Sequence, residues 1–164
     1  MDNKLKGDLA ELIVEHMFRA SGIKVFPLGV ERRNQNFFEY YMKRKEDTNR
    51  KLKFNNGVAR AISIPDFVIE DLDGNFELIE VKFRGQIKSE DDLVNFHKDV
   101  EESVNFWKCT IILVTNPYPP DNYFTVLRYE EEFCSRQTIP GQKLWGIKRE
   151  VFTECENLVK CIYT

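Results

Sequence analysis

The sequence predicts a three-layer α/β protein in which a mixed β-sheet is flanked by helices. Two observations indicate this class. Helical and strand-like segments follow the order helix, strand, strand, strand, helix, strand within the first 115 residues. A helical segment also separates two strand-like runs, 76–83 and 109–115, and such a crossover joins parallel strands, whereas a tight turn joins antiparallel ones. The 164 residues are 42% hydrophobic, enough for one core, so we expect a single domain over 1–164.

The first predicted elements are a helix, a strand and a two-stranded hairpin. Residues 3–21 have a helical pattern that Gly22 ends, and 23–28 form a first strand. Residues 64–70 and 76–83 form two strands joined by a turn at Asp73-Gly74.

A second helix and a buried strand follow. Ser89 is a good N-cap with Asp92 three residues later, which is typical of a capping box. The apolar stripe of this helix consists of Leu93, Phe96, Val100, Val104 and Trp107. Residues 109–115 are continuously apolar and β-branched, as in a strand buried on both faces. We expect a further strand over 123–129, whereas the last forty residues are ambiguous, with a helix or mixed element near 150–162.

Positive charge is concentrated in residues 31–63. This segment has nine Lys and Arg against four acidic residues, a net charge of +5, although the whole chain is at −3. Lys and Arg neutralise phosphates, and interleaved aromatic rings can stack on bases. A solvated segment whose aromatic residues pack on the core is the alternative interpretation. The candidate nucleic-acid contacts are Arg32, Arg33, Lys43, Arg44, Lys45 and Arg84.

Other functional classes lack support. No apolar run approaches the ~20 residues of a membrane span, and the charged N-terminus has no signal-peptide stretch, so we expect a cytoplasmic protein. The four cysteines contain no C-x-x-C pair and the chain has only two histidines, which argues for free thiols and against zinc.

Three charged residues interrupt otherwise apolar strands. Asp66 lies in the strand at 64–70, and Glu80 and Lys82 lie in the strand at 76–83. Side chains alternate along a strand, so Glu80 and Lys82 share a face ~7 Å apart. Charges there are costly unless they are paired or bind a metal. Two carboxylates and a lysine suit a divalent-metal phosphodiesterase; a solvated Glu-x-Lys pair is the alternative.

The turn decides whether Asp66 joins this face. A two-residue turn at Asp73-Gly74 would place Asp66 opposite Val81, on the wrong side. A three-residue loop, 72–74, would place Asp66 opposite Glu80. Gly74 occupies the third position of that loop, where a left-handed residue is needed, so the sequence permits the site.

Pro65-Asp66 followed by Glu80-Val81-Lys82 resembles the signature of the PD-(D/E)XK nuclease superfamily, which includes restriction endonucleases and archaeal Holliday junction resolvases. Residues 7–11, GDLAE, are similar to the first-helix pattern of several branches. The resemblance covers about 4–115, with 31–63 as an insertion and 116–164 as a C-terminal extension. It implies a restriction endonuclease-like three-layer sandwich.

The resemblance also implies roles for individual residues. Asp66 and Glu80 would bind Mg²⁺ or Mn²⁺, with the Val81 carbonyl as a further ligand, and Lys82 would position the attacking water. Glu11 would contact the metal directly or through water, although Glu15, one turn further along the helix, is its rival. Such enzymes leave a 5′-phosphate and a 3′-hydroxyl.

The leading hypothesis is therefore a Mg²⁺-dependent endonuclease that acts on DNA. The alternative is a catalytically inactive domain of the same fold that binds nucleic acid or a protein partner. A homodimer is expected by analogy. The sequence does not distinguish DNA from RNA, or duplex from branched or single-stranded substrates. It also leaves open whether cleavage is internal or terminal and whether there is a sequence preference.

Overall fold

The protein is described from a computed structural model that covers residues 2–28, 64–85, 87–116, 123–128, 135–138 and 144–163. Three helices and six strands lie in these ranges, together with a short 3₁₀ turn at Leu144–Gly146. The helices are α1 (Asn3–Ala20), α2 (Glu90–Trp107) and α3 (Arg149–Tyr163). The strands are β1 (Lys24–Pro27), β2 (Phe67–Glu70), β3 (Phe76–Arg84), β4 (Thr110–Thr115), β5 (Phe124–Arg128) and β6 (Ser135–Thr138).

The strands form one mixed sheet whose spatial order is the chain order, β1-β2-β3-β4-β5-β6. The β3–β4 pair is parallel, because α2 crosses between its two strands, and the other four pairs are antiparallel. The predicted parallel crossover and the predicted antiparallel hairpin are both confirmed.

Helices pack on both faces of the sheet. On one face, α1 and α3 bury Val14, Phe18 and Phe152 against strand residues such as Phe67 and Ile79. On the other face, α2 packs on β4 and β5. That second core contains Phe96, Val100, Val104, Ile111, Leu113 and Leu127. The three-layer α/β class is therefore confirmed, and the architecture is consistent with a restriction endonuclease-like fold.

Local sequence accounts for the ends of two helices. The Asp2 side chain accepts the Lys4 N–H at the start of α1, and Gly22 follows the helix with φ +91°. Ser89 and Asp92 form the predicted capping box at the start of α2. These contacts satisfy backbone groups that a helix end leaves without intrahelical partners.

The described residues of the C-terminal third belong to the same sheet and core. The β6 strand, which the sequence did not indicate, pairs with β5. The helix expected near 150–162 is present as α3. It runs antiparallel to α1: the Lys148 backbone N–H donates to the Ser21 hydroxyl at one end, and Lys6 lies over the Tyr163 ring at the other.

Two expectations from composition can be compared with the described residues. Cys109 and Cys155 are buried and Cys161 is exposed, no disulfide links any two of these three cysteines, and Cys134 lies outside the described ranges. Within those ranges no helix is long and apolar enough to cross a membrane. The basic segment 31–63, with its five candidate contacts, also lies outside the described ranges.

Candidate active site

The hairpin between β2 and β3 has the three-residue loop on which the site depends. The Asp71 N–H donates to the Asn75 carbonyl at 2.9 Å, and the Gly74 N–H donates to the Asp71 carbonyl at 3.1 Å. Gly74 has φ +84°, the left-handed conformation expected at the third loop position. Glu70 consequently pairs with Phe76, and Phe67 with Ile79.

This register places Asp66 beside β3. Continued one residue beyond the Phe67–Ile79 pair, it sets Asp66 opposite Glu80. The Asp66 carboxylate reaches across to β3, where its Oδ2 accepts the Val81 backbone N–H at 2.7 Å. The carboxylate is therefore held against the strand that carries the other two charged residues.

Glu80 and Lys82 lie on the same face of β3, as the alternation predicts. The Lys82 ammonium donates to Glu80 Oε1 in an ion pair. The Glu80 side chain is 11% exposed, whereas the Lys82 side chain is 37% exposed. A partly exposed lysine thus lies over a nearly buried carboxylate.

Burial, reinforced by the negative charge of Asp66, raises the pKa of Glu80 to about 7, although Lys82 opposes the shift. Burial alone would lower the pKa of Lys82, but the attraction of Glu80 and Asp66 outweighs it and raises that pKa. Lys82 therefore offsets only part of the negative charge of the Asp66 and Glu80 carboxylates.

The donor set fits a hard divalent cation. Mg²⁺ and Mn²⁺ prefer carboxylate and carbonyl oxygens, and Asp66 and Glu80 bring two carboxylates together at the carbonyl-bearing backbone of Val81. A bound cation would also reduce the repulsion between these two partly buried carboxylates. No group of three or more His, Cys, Asp or Glu side chains within the described ranges is placed to hold a metal ion.

Glu11 is accordingly not grouped with Asp66 and Glu80. It is half-buried on α1, and the buried residues of that helix pack on the sheet face opposite to Glu80 and Lys82. Its rival Glu15 is bound to Arg19 at 2.9 Å, and Arg19 also donates to the Val25 carbonyl. Arg19 therefore links α1 to β1 and Glu15 accepts from its guanidinium, whereas the role expected of Glu11 stays a prediction.

Arg84 lies at the exposed end of β3. Alternation places it on the same face as Lys82, and its guanidinium pairs with Asp99 at 3.2 Å and lies over the Phe96 ring. Its predicted contact with nucleic acid therefore stays a prediction.

Comparison with known proteins gives a distant structural likeness. No protein-family model matches the chain, and no curated protein matches it in sequence. Among solved structures, the chain is similar to Archaeoglobus fulgidus Hjc, a Holliday junction resolvase from an archaeal hyperthermophile. The match has 13% sequence identity, covers 93% of this chain and 99% of the resolvase, and has a TM-score of 0.32. A likeness at this distance does not bear on the function of the chain.

Proposed function

We propose that the protein is a metal-dependent nuclease that hydrolyses phosphodiester bonds in DNA. The observation that carries this proposal is the convergence of Asp66, Glu80 and Lys82 on one face, with Asp66 tied to β3 and Lys82 paired to Glu80. Two facing carboxylates beside a lysine have no role in packing a sheet, since charges inside a strand pair are costly to bury.

Each residue then has a distinct task. Asp66, Glu80 and the Val81 carbonyl would hold Mg²⁺ or Mn²⁺, and such an ion would activate water and stabilise charge on a phosphate. Lys82 holds the attacking water by hydrogen bonding and offsets negative charge on the phosphate oxygens. Glu11 is proposed as an additional contact to the ion through water. The resemblance implies a 5′-phosphate and a 3′-hydroxyl as products.

Binding to nucleic acid is assigned to the basic segment 31–63 and to Arg84. The segment carries a net charge of +5, and both of its ends are close to the site in sequence. Leu28 and Asp66 flank this segment in the chain, and the Leu28 N–H donates to the Asp66 carbonyl at 2.8 Å. A positive segment that joins the fold beside Asp66 favours a polyanionic substrate.

A cleavage assay tests the proposal. Plasmid, single-stranded, branched and RNA substrates are incubated with Mg²⁺ or Mn²⁺, with EDTA and the Asp66→Ala/Lys82→Ala double variant as controls. Metal-dependent cutting that the double variant lacks is the expected result. Cutting that survives in the double variant would contradict the assignment of the site.

The second candidate is a catalytically inactive domain of the same fold that binds nucleic acid or a protein. The observation in its favour is that the Lys82 ammonium donates to Glu80 Oε1, so this carboxylate has a protein partner. It predicts binding that does not depend on a divalent cation, with no turnover on any substrate. A homodimer and a cytoplasmic location stay predictions under both functions.

A further inference from the structure

Two phenylalanine rings are exposed on the sheet face that carries the candidate site. Phe26 is 46% exposed and Phe76 is 68% exposed. Large aromatic side chains are usually buried, because they lose much apolar surface to water when they are exposed. Other large apolar side chains of the described ranges, such as Leu72 and Phe106, are exposed as well, and Phe26 and Phe76 differ from them in lying on the sheet face of the candidate site.

The helix on this face covers only part of the sheet. The α2 core residues pack on β4 and β5, and Leu78 of β3 lies at the border of that cluster. On β1 and β2, the same face presents Phe26 and the half-buried Val68. Within the described ranges, the face is thus packed at one side of β3 and open at the other.

Strand register connects the open side to the site. Phe26 pairs with Val68, Val68 pairs with Leu78, and Glu70 pairs with Phe76. Paired residues point to the same face, and alternation along β2 puts Val68 on the face of Asp66. Phe26 is then a diagonal neighbour of Asp66 across the β1–β2 pair, at about 7–8 Å between backbones.

We call Phe26, Val68 and Phe76 the strip. Phe26 and Val68 are direct partners next to Asp66, and Phe76 is a diagonal neighbour of Val68 on the side away from Asp66. The Lys24–Glu70 ion pair, at 2.9 Å, lies level with Phe76, because Glu70 pairs with both Lys24 and Phe76. The two charges of this pair cancel, so the strip offers ring faces and an aliphatic side chain without net charge. Such a surface does not suit phosphates. It suits the flat faces of nucleobases, which stack on aromatic side chains with little dependence on sequence.

We propose that this strip is a stacking platform for unpaired nucleobases and leads a single strand to the Asp66–Glu80–Lys82 site. The inference rests on the proposed function for the importance of that site. Bases in a duplex are stacked on one another and present only their edges, so an exposed ring face selects unpaired bases.

The strip by itself is too small to form a dimer interface. A stable protein interface buries about 800 Å² on each partner. Two phenylalanines and one valine, already partly covered, expose far less than that, since a whole aromatic side chain buries only about 150–250 Å². A surface of this size accommodates two or three bases.

Binding measurements test the platform directly. Fluorescence anisotropy is recorded in EDTA with labelled dT20, rU20 and a hairpin duplex, using the full-length wild-type chain. Phe26→Ala and Phe76→Ala are each expected to weaken binding of both single strands by about tenfold, with the duplex affinity nearly unchanged. The dT20 and rU20 arms show whether the platform distinguishes DNA from RNA.

Matched variants separate stacking from a loss of structure. Phe26→Trp should preserve dT20 affinity and add indole fluorescence that the bound strand quenches. Leu12→Ala, which truncates an apolar side chain that is 51% exposed on α1, should leave binding unchanged. If the alanine variants do not fold, Phe26→Leu and Phe76→Leu retain apolar volume without the ring and should show the same loss.

The outcomes also separate this inference from the proposed function. Unchanged dT20 affinity in a folded Phe26→Ala/Phe76→Ala variant, an equal loss for duplex and single strand, or no dT20 binding by the wild type would each overturn the platform. Ring-dependent dT20 binding without Mn²⁺-dependent cleavage of any substrate would uphold the platform and reject the nuclease.

Discussion

Asp66 is hydrogen-bonded to Val81 on the neighbouring strand: its Oδ2 accepts the Val81 N–H at 2.7 Å. The carboxylate of the residue that precedes β2 is thereby held by the β3 backbone at the position between Glu80 and Lys82. The hydrogen bond fixes the position of the carboxylate before any ligand arrives, which is the kind of preorganisation that a metal or catalytic site requires.

Lys82→Ala should reduce hydrolysis by at least about a hundredfold while leaving the affinity for nucleic acid within a few-fold of wild type. The reason is that Lys82 is partly exposed, so the substitution removes the ammonium group that would hold the attacking water but few packing contacts. Initial rates of plasmid cleavage in Mg²⁺ measure the effect. Lys98→Ala, an exposed lysine on α2, is the matched control. Turnover at the wild-type rate in Lys82→Ala would refute its role.

Mn²⁺ should raise the melting temperature of the wild type, because an ion that binds only the folded state stabilises it by mass action. At a concentration about a hundred times Kd the gain is ~2.7 kcal/mol, or several degrees for a chain of this size. Asp66→Asn should lose this gain and keep an acceptor for the Val81 N–H. Asp8→Asn, an exposed carboxylate on α1, should retain the gain. An identical rise in wild type and Asp66→Asn would place the ion elsewhere.

Glu80 should make the metal-free protein less stable as the pH rises. Its pKa is raised from 4.5 to about 7 by burial and by Asp66, so the folded state binds this proton more tightly than the unfolded chain does. The stabilisation is complete below the unfolded value and is lost as the pH approaches 7. Relative to wild type, Glu80→Gln should therefore gain ~1–3 kcal/mol in free energy of unfolding between pH 4.5 and 8.

Urea unfolding in EDTA at both pH values measures this difference. Glu150→Gln, an exposed glutamate at the start of α3, is the control and should show no such gain. A Glu80→Gln effect of equal size at pH 4.5 and pH 8 would show that the carboxyl does not titrate as expected.

Gly74→Ala should destabilise the protein by about 1 kcal/mol, because Gly74 has φ +84°, which L residues rarely adopt. No atom lies within 4 Å of the position that a Cβ would take, so the cost arises from the backbone alone. Gly7 also has nothing within 4 Å but lies inside α1, where alanine is favoured. Gly7→Ala should therefore stabilise by ~0.5–1 kcal/mol. Equal effects of the two substitutions in urea would argue against this account of the turn.

Local sequence signals predicted the parts of the fold whose determinants are neighbours in the chain. The capping box at Ser89 and Asp92 and the three-residue turn ending at Gly74 both depend on contacts within four residues. The buried strand β4 was also evident, since an apolar, β-branched run can lie inside a sheet without any alternation. The polar strand β6, with the sequence SRQT, had no such signal, because its pairing depends on β5.

The candidate site was partly predictable for the same reason. Alternation placed Glu80 and Lys82 on one face, and the turn then brought Asp66 to that face. The position of Glu11 was not predictable, because helical periodicity gives the face of α1 but not its position relative to β3. The exposed rings of Phe26 and Phe76 were likewise missed, since strand periodicity says that two faces differ without saying which helix covers each.

By itself, the sequence predicted the elements that precede β6 and the face that Glu80 and Lys82 share, and it permitted the hairpin register that pairs Asp66 with Glu80. Each of these follows from turn chemistry and side-chain alternation over short distances. Only the tertiary structure decided which half of the sheet α2 covers, that α3 packs beside α1, and that β6 completes the sheet. These outcomes depend on burying apolar surface between segments far apart in the chain, and that free energy depends on the whole packed arrangement rather than on any local pattern.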